Sequence, residues 1–157
     1  MGTRRKQDTA ADVWRTMARF TLDVLQGGDH LAVLREHGLT PGHLKALSTL
    51  DPDEPRSMGA MADLLQCDAS QITFLVDRLE ERGFVERRTL PSDRRVKTIV
   101  LTPAGLRFRA KVLEQVYRPP ASLLALPVAS LEALRAQLDQ LPAPSGGFWN
   151  GDTPRRA

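Results

Sequence analysis

At 157 residues, with 41% hydrophobic and 5% aromatic content, the chain is sized for one domain with a largely aliphatic core. Its net charge is only +3, yet residues 82–97 hold six basic side chains (Arg82, Arg87, Arg88, Arg94, Arg95, Lys97) against Glu86 and Asp93, so that window carries +4 and the remainder is near neutral or slightly acidic. The lone Cys67 excludes an internal disulfide and fits a reducing compartment. No apolar run approaches the roughly 18 residues that span a bilayer. The opening MGTRRKQDTAAD lacks the apolar centre of a signal peptide. A cytoplasmic protein with a polyanionic partner is expected.

Residues 1–7 are polar and basic and read as a flexible end. Asp8 or Thr9 can cap a helix to about Gln26, whose apolar positions Val13, Met17, Phe20 and Val24 follow helical spacing. Trp14, Ala18 and Leu25 widen that stripe and suggest burial on two sides. Asp29 is the expected cap of a short helix from His30 to Glu36, which Gly38 stops. Thr40-Pro41 signals a cap with Pro at the first helical position, and Leu44, Leu47 and Leu50 follow. After the turn-forming DPDEPR, Ser57 caps a helix with Met58, Met61, Ala62 and Leu65 on one face. Asp68, with Gln71 three residues on, opens the next helix, which buries Ile72, Leu75, Val76 and Leu79 and ends at Gly83. Two short helices across so tight a turn form a helix-turn-helix.

Beyond Gly83 the period changes. Phe84 to Arg88 reads as one strand and Val96 to Leu101 as its partner, joined by a long charged tip from Thr89 to Arg95. Thr102-Pro103 begins a long helix carrying Leu106, Phe108, Val112, Leu113 and Val116, stopped by Pro119-Pro120. A last helix from about Val128 places Leu131, Leu134, Leu138 and Leu141 along a coiled-coil-like seam. The tail, residues 142–157, is Pro- and Gly-rich, and its Phe148-Trp149 could dock on the body.

The second helix of a helix-turn-helix presents its first turns to base edges in the major groove. Here Ser70, Gln71 and Thr73 can hydrogen-bond bases or phosphates, although such residues also suit an ordinary solvated face. The hairpin that follows carries Arg87, Arg88, Arg94, Arg95 and Lys97. An arginine at a wing tip fits the narrow minor groove, and the others neutralise phosphates. Charged edge strands also block aggregation, but this density of arginine directly after a candidate recognition helix favours DNA.

Asp93-Arg94-Arg95, five residues, Leu101-Thr102, two residues, Gly105 forms the pattern D-x-R-x5-L-T-x-x-G. With Ile72-Thr73, Leu75 to Glu80 and Arg82 to Arg87 before it, this resembles the MarR family of bacterial transcription regulators, from about Leu39 to Leu141. The resemblance implies a mainly α fold with a small β-hairpin wing (α+β): a winged helix-turn-helix plus a helical dimerisation region. It divides the chain into dimerising helices at 8–38 and 103–141 and a DNA-binding unit at 39–102. It also implies a homodimer on a pseudo-palindromic operator, acting as a repressor. The candidate DNA-contacting set is Ser70, Gln71, Thr73, Phe74, Arg78, Arg88, Ser92, Asp93, Arg94, Arg95 and Lys97. Phe74 departs from the family, which often has a polar residue there; Phe can touch a thymine methyl or pack against the wing.

The resemblance further implies a small, often aromatic and anionic, effector between the dimer helices and the winged unit. Candidate lining residues are Trp14, Arg15, Met17, His30, His43, Met58 and Met61, each of which also has an ordinary structural explanation. Cys67, in the turn, reads as a small packed residue. His30, His37 and His43 do not share a helix face, so no metal site is expected. No P-loop, nucleophile elbow or dinucleotide fingerprint is present, so neither enzymatic activity nor a cofactor is expected. The rival function is a winged helix devoted to protein–protein contact without sequence-specific DNA binding.

Overall fold

The computed structural model describes residues 2–90 and 93–142, less the side chains of residues 90 and 93–96. The first helix, α1 (Gly2–Gly27), starts well before the expected cap at Asp8 or Thr9. Residues 3–26 contain neither Gly nor Pro, so nothing interrupts the helix upstream. The hydroxyl of Thr9 donates back to the Arg5 carbonyl at 2.8 Å instead of capping. The expectation of a separate flexible end over residues 1–7 is therefore corrected from Gly2 onward.

At α2 (Asp29–Glu36) the N-cap is Gly28, and Asp29 is the first helical residue, where its carboxylate complements the helix dipole. Gly38 ends that helix at φ +64, with Leu39 N–H donating to Leu34 O and Gly38 N–H to Arg35 O, a Schellman arrangement. Thr40 and Pro41 open α3 (Pro41–Ser48), and Ser57 Oγ accepts from Ala60 N–H at 3.1 Å to open α4 (Met58–Leu65). Asp68 Oδ1 accepts from Gln71 N–H at 2.8 Å at the start of α5 (Ala69–Glu81). A second Schellman closure at Gly83, φ +70, turns the chain into the sheet.

The sheet has three strands rather than the expected two. Strand β1 (Arg56–Ser57) pairs with β3 (Asp93–Leu101), which pairs with β2 (Val85–Leu90), all antiparallel. Arg56 and Ser57, read from sequence as loop and cap, oppose Ile99 and Thr98; a two-residue strand has no periodicity to betray it. Both hairpin strands reach further toward the tip than expected, with a register irregularity between Thr89 and Leu90. Backbone pairing across the ladder outweighs the turn-like composition there. The chain then runs through α6 (Pro103–Val116), the short, unanticipated α7 (Ala121–Leu124) and α8 (Val128–Leu138).

The core joins α2 to α6 and the sheet through Leu34, Leu47, Met61, Ile72, Val76, Leu79, Ile99 and Val112. Phe84 stacks on Phe108 at 4.3 Å between ring centroids, fastening the root of the hairpin to α6. Leu106, expected inside, is exposed. Most of α1 and α8 stands clear of this core: Val13, Trp14, Leu22, Leu134 and Leu138 are all exposed, as is Leu141 beyond α8, so the two-sided burial expected of the first helix is not met within one chain. Among the described residues no helix is long and apolar enough to cross a membrane.

Candidate nucleic-acid interface

A side-chain cap and a latch position α5. Asp68 Oδ1 takes both the Gln71 N–H and the Ser70 hydroxyl, the latter at 2.6 Å, and these hydrogen bonds hold its carboxyl below the usual range. Burial of Ile72, Val76 and Leu79 turns Ser70, Thr73, Phe74 and Asp77 outward as one row, with Gln71 beside it. Thr73 Oγ1 donates to Ala69 O at 2.7 Å. Phe74 is 65% exposed and meets the His43 ring at 5.8 Å.

Arg78 leaves this row. Its Nε donates to Gly38 O at 3.3 Å and its Nη1 pairs with Glu81 at 2.8 Å, so it braces the α2–α3 corner. A base-contacting role does not follow from that position.

On the hairpin, Arg87 turns inward. Its guanidinium pairs with Asp77 and Glu80, and Glu80 Oε1 accepts its backbone N–H at 3.0 Å. Burial works against its charge, but the two carboxylates prevail and raise its pKa above the ordinary value. Arg87 thus contributes orientation, and Arg88 and Lys97 are the exposed cations next to it; Arg88 also pairs with Glu86. The backbone of Asp93, Arg94 and Arg95 lies in β3, at the tip end of the ladder. Their side chains, and all of Ser92 and of Phe148-Trp149, lie outside the described residues.

A β-hairpin wing after a capped helix-turn-helix is the arrangement that the resemblance implies, and β1 adds a third strand to it. The MarR family model matches residues 39–97, which span α3 through most of β3. Residues 39–97 thus form a MarR-family domain. Its relatives include YcgE of Bacillus subtilis, an uncharacterized helix-turn-helix transcriptional regulator, 33% identical over 90 residues that cover 57% of this chain and 56% of that one. The transcriptional repressor MprA of Escherichia coli is 32% identical over 83 residues, 52% of this chain and 47% of its own. The chain thus spans about half the length of these curated relatives. Among solved structures, a MarR-family transcriptional regulator from Rhodococcus sp. RHA1 aligns at a TM-score of 0.57 and 28% identity, covering 83% of this chain and 93% of that one.

The effector candidates do not converge as the MarR resemblance implies. Trp14 and Arg15 lie on the exposed face of α1, Arg15 paired with Asp12. Met17 is half-buried, and Met61 and Met58 pack in or against the winged core. His43 is buried as the partner of the α3 cap: its Nδ1 accepts from Thr40 N–H at 3.1 Å and lies 2.8 Å from Thr40 Oγ1. His30 alone of the seven lines a cavity of about 420 Å³, walled by Leu22, Leu25, Leu31 and Val116 and edged by Gln26 and Lys45. Met58 and Met61 were drawn into the core, His43 to a cap and Arg15 to a surface pair. Burial lowers the pKa of His30, with Asp29 opposing.

Sequence reasoning missed Arg109, buried on α6, which donates from Nη1 to Leu47 O at 3.3 Å and Leu50 O at 2.7 Å. Its position three residues before Val112 on the apolar face was the available signal. The role of His43 was also legible, since it stands three residues after Thr40, where a capping box places its acceptor.

Proposed function

We propose that the protein regulates transcription by binding a pseudo-palindromic duplex DNA operator as a homodimer, and that it represses. The observation that carries this reading is the outward row Ser70–Thr73–Phe74 of α5 standing beside a basic hairpin latched to the same helix by Arg87. A helix in the major groove and a cationic wing on the flanking backbone is the use that such geometry suits. Ser70, Gln71, Thr73 and Phe74 face bases; Arg88, Arg94, Arg95 and Lys97, with Ser92 and Asp93 at the tip, serve the backbone and the minor groove.

The helices at 2–38 and 103–141 supply the dimer. Exposed Val13, Trp14, Leu134 and Leu138 form apolar surfaces that a second copy would bury, at roughly 25 cal/mol per Å². The name of MprA supports repression. A small effector, aromatic in at least part, fits the apolar walls of the cavity beside His30, where α1 meets α2 and α3. Filling it would shift the population toward dimers whose recognition helices no longer match half-sites about one helical turn apart. A DNA partner fits a cytoplasmic protein.

Gel shift against the DNA flanking its own gene, at two salt concentrations, tests the DNA reading. A retarded band that weakens with salt supports it; absence of any salt-dependent shift favours a protein-contact module instead. For the effector, a thermal-shift screen of phenolic and other aromatic acids should yield a compound that also displaces DNA.

A further inference from the structure

The outward row of α5 is chemically uneven. The Ser70 hydroxyl donates to Asp68 and the Thr73 hydroxyl to Ala69 O, while Asp77 is held by Arg87. The polar members of the row are thus tied into the fold before any ligand arrives. Phe74 is 65% exposed in the middle of that row. One edge rests against the His43 ring, inclined at 57°. His43 is itself fully buried and pinned by the Thr40 backbone, so it forms a rigid backstop. The phenyl ring is a preorganised apolar knob on a face whose neighbouring hairpin carries exposed Arg88 and Lys97.

The basic hairpin fits a polyanion, so the knob meets a nucleic-acid groove rather than an apolar partner. A phenyl ring can neither donate nor accept hydrogen bonds with base edges. The apolar feature that the four bases display in the major groove is the thymine 5-methyl group. We propose that Phe74 is a specificity-determining residue that packs on a thymine 5-methyl group in each half-site. This rests on the duplex-DNA reading above. It makes the site selective by shape and apolarity at one base step, where a polar residue would select by hydrogen bonding.

The test begins with operators chosen by in vitro selection using the full-length protein. Each thymine is then replaced in turn by deoxyuridine, which removes only the methyl group, in both half-sites together. Binding is read by fluorescence anisotropy for the wild type, Phe74→Ala and Phe74→Leu. At one thymine position the wild type should lose about fourfold in affinity per half-site, the change expected when one methyl group leaves an apolar contact. Phe74→Ala should bind the two duplexes equally, and Phe74→Leu should keep part of the difference. Tight, salt-dependent binding with no thymine whose methyl group matters to the wild type alone overturns this proposal and leaves the DNA reading standing. Failure to select or bind any duplex overturns both.

Discussion

The guanidinium of Arg87 pairs with Asp77 on the outward row of the recognition helix and with Glu80 one turn further along it. The wing is thereby oriented by the helix it flanks. The Arg87 side chain is largely shielded, whereas Asp77 is half-exposed, so solvent screening leaves the cluster worth about 1–2 kcal/mol. Arg87→Ala should lower unfolding stability by that amount in urea titrations. A double-mutant cycle with Asp77→Ala should return a coupling of at least about 0.5 kcal/mol. A coupling near zero would make the pair an ordinary surface contact.

Gly105, in the first turn of α6, has a different constraint from Gly38 and Gly83. A Cβ built there would lie 1.9 Å from the Phe84 carbonyl oxygen and 2.8 Å from its carbon, both backbone atoms that cannot swing aside. Thr102 reinforces this junction, donating to Gly83 O at 2.7 Å. Gly105→Ala should therefore push α6 off the hairpin root and cost about 3 kcal/mol. Calorimetry would show the loss as a lowered Tm. A melt equal to wild type would show that the close approach is not required.

Arg109 ties α6 to the carboxyl end of α3 through the Leu47 carbonyl, which also takes the Leu50 N–H at 3.3 Å, and through the Leu50 carbonyl just beyond the helix. Arg109→Met keeps the apolar stem and removes the donors. Taking this donor from the Leu50 carbonyl should cost about 1–2 kcal/mol in chemical denaturation. Neutral behaviour of this variant would mean that water replaces the guanidinium.

The two buried histidines contribute an acid-side loss of stability. Burial, and then the charge of Arg78, hold His43 below its usual 6.5. Burial lowers His30 in the same way, with Asp29 opposing. The unfolded chain therefore binds protons more readily than the native one. Their contribution is fully present above 6.5 and is lost as pH falls below it toward the depressed native values. His43→Gln supplies a non-titrating acceptor for Thr40 N–H at the same helix position. Its stability should fall less than that of the wild type between about pH 7 and pH 5. Equal slopes would place the acid sensitivity elsewhere.

Much of this was readable in advance, for physical reasons specific to each element. Asp68, Ser57 and Thr102 announced three helix starts because a capping oxygen needs only local geometry. Gly38 and Gly83 announced two helix ends through the left-handed backbone that each supplies. Strand β1 stayed hidden because Arg56 and Ser57 become a strand only by pairing with β3, a contact some forty residues away in sequence that no local pattern encodes. The start of α1 at Gly2 was missed because polar, basic residues form helix as readily as they form coil. The outward row of α5 was legible from the burial of Ile72, Val76 and Leu79. The inward turn of Arg87 was not, since charge alone does not say whether an arginine faces a phosphate or a carboxylate.

The central claim is that the hairpin meets a DNA backbone, and the salt dependence of operator binding tests it most directly. For the wild type, log K should fall linearly with log salt concentration. Arg94→Ala and Arg95→Ala should each weaken binding and reduce the magnitude of that slope by about 1 for every phosphate contact removed. Variants that bind the operator with wild-type affinity and wild-type slope would contradict the assignment of the wing.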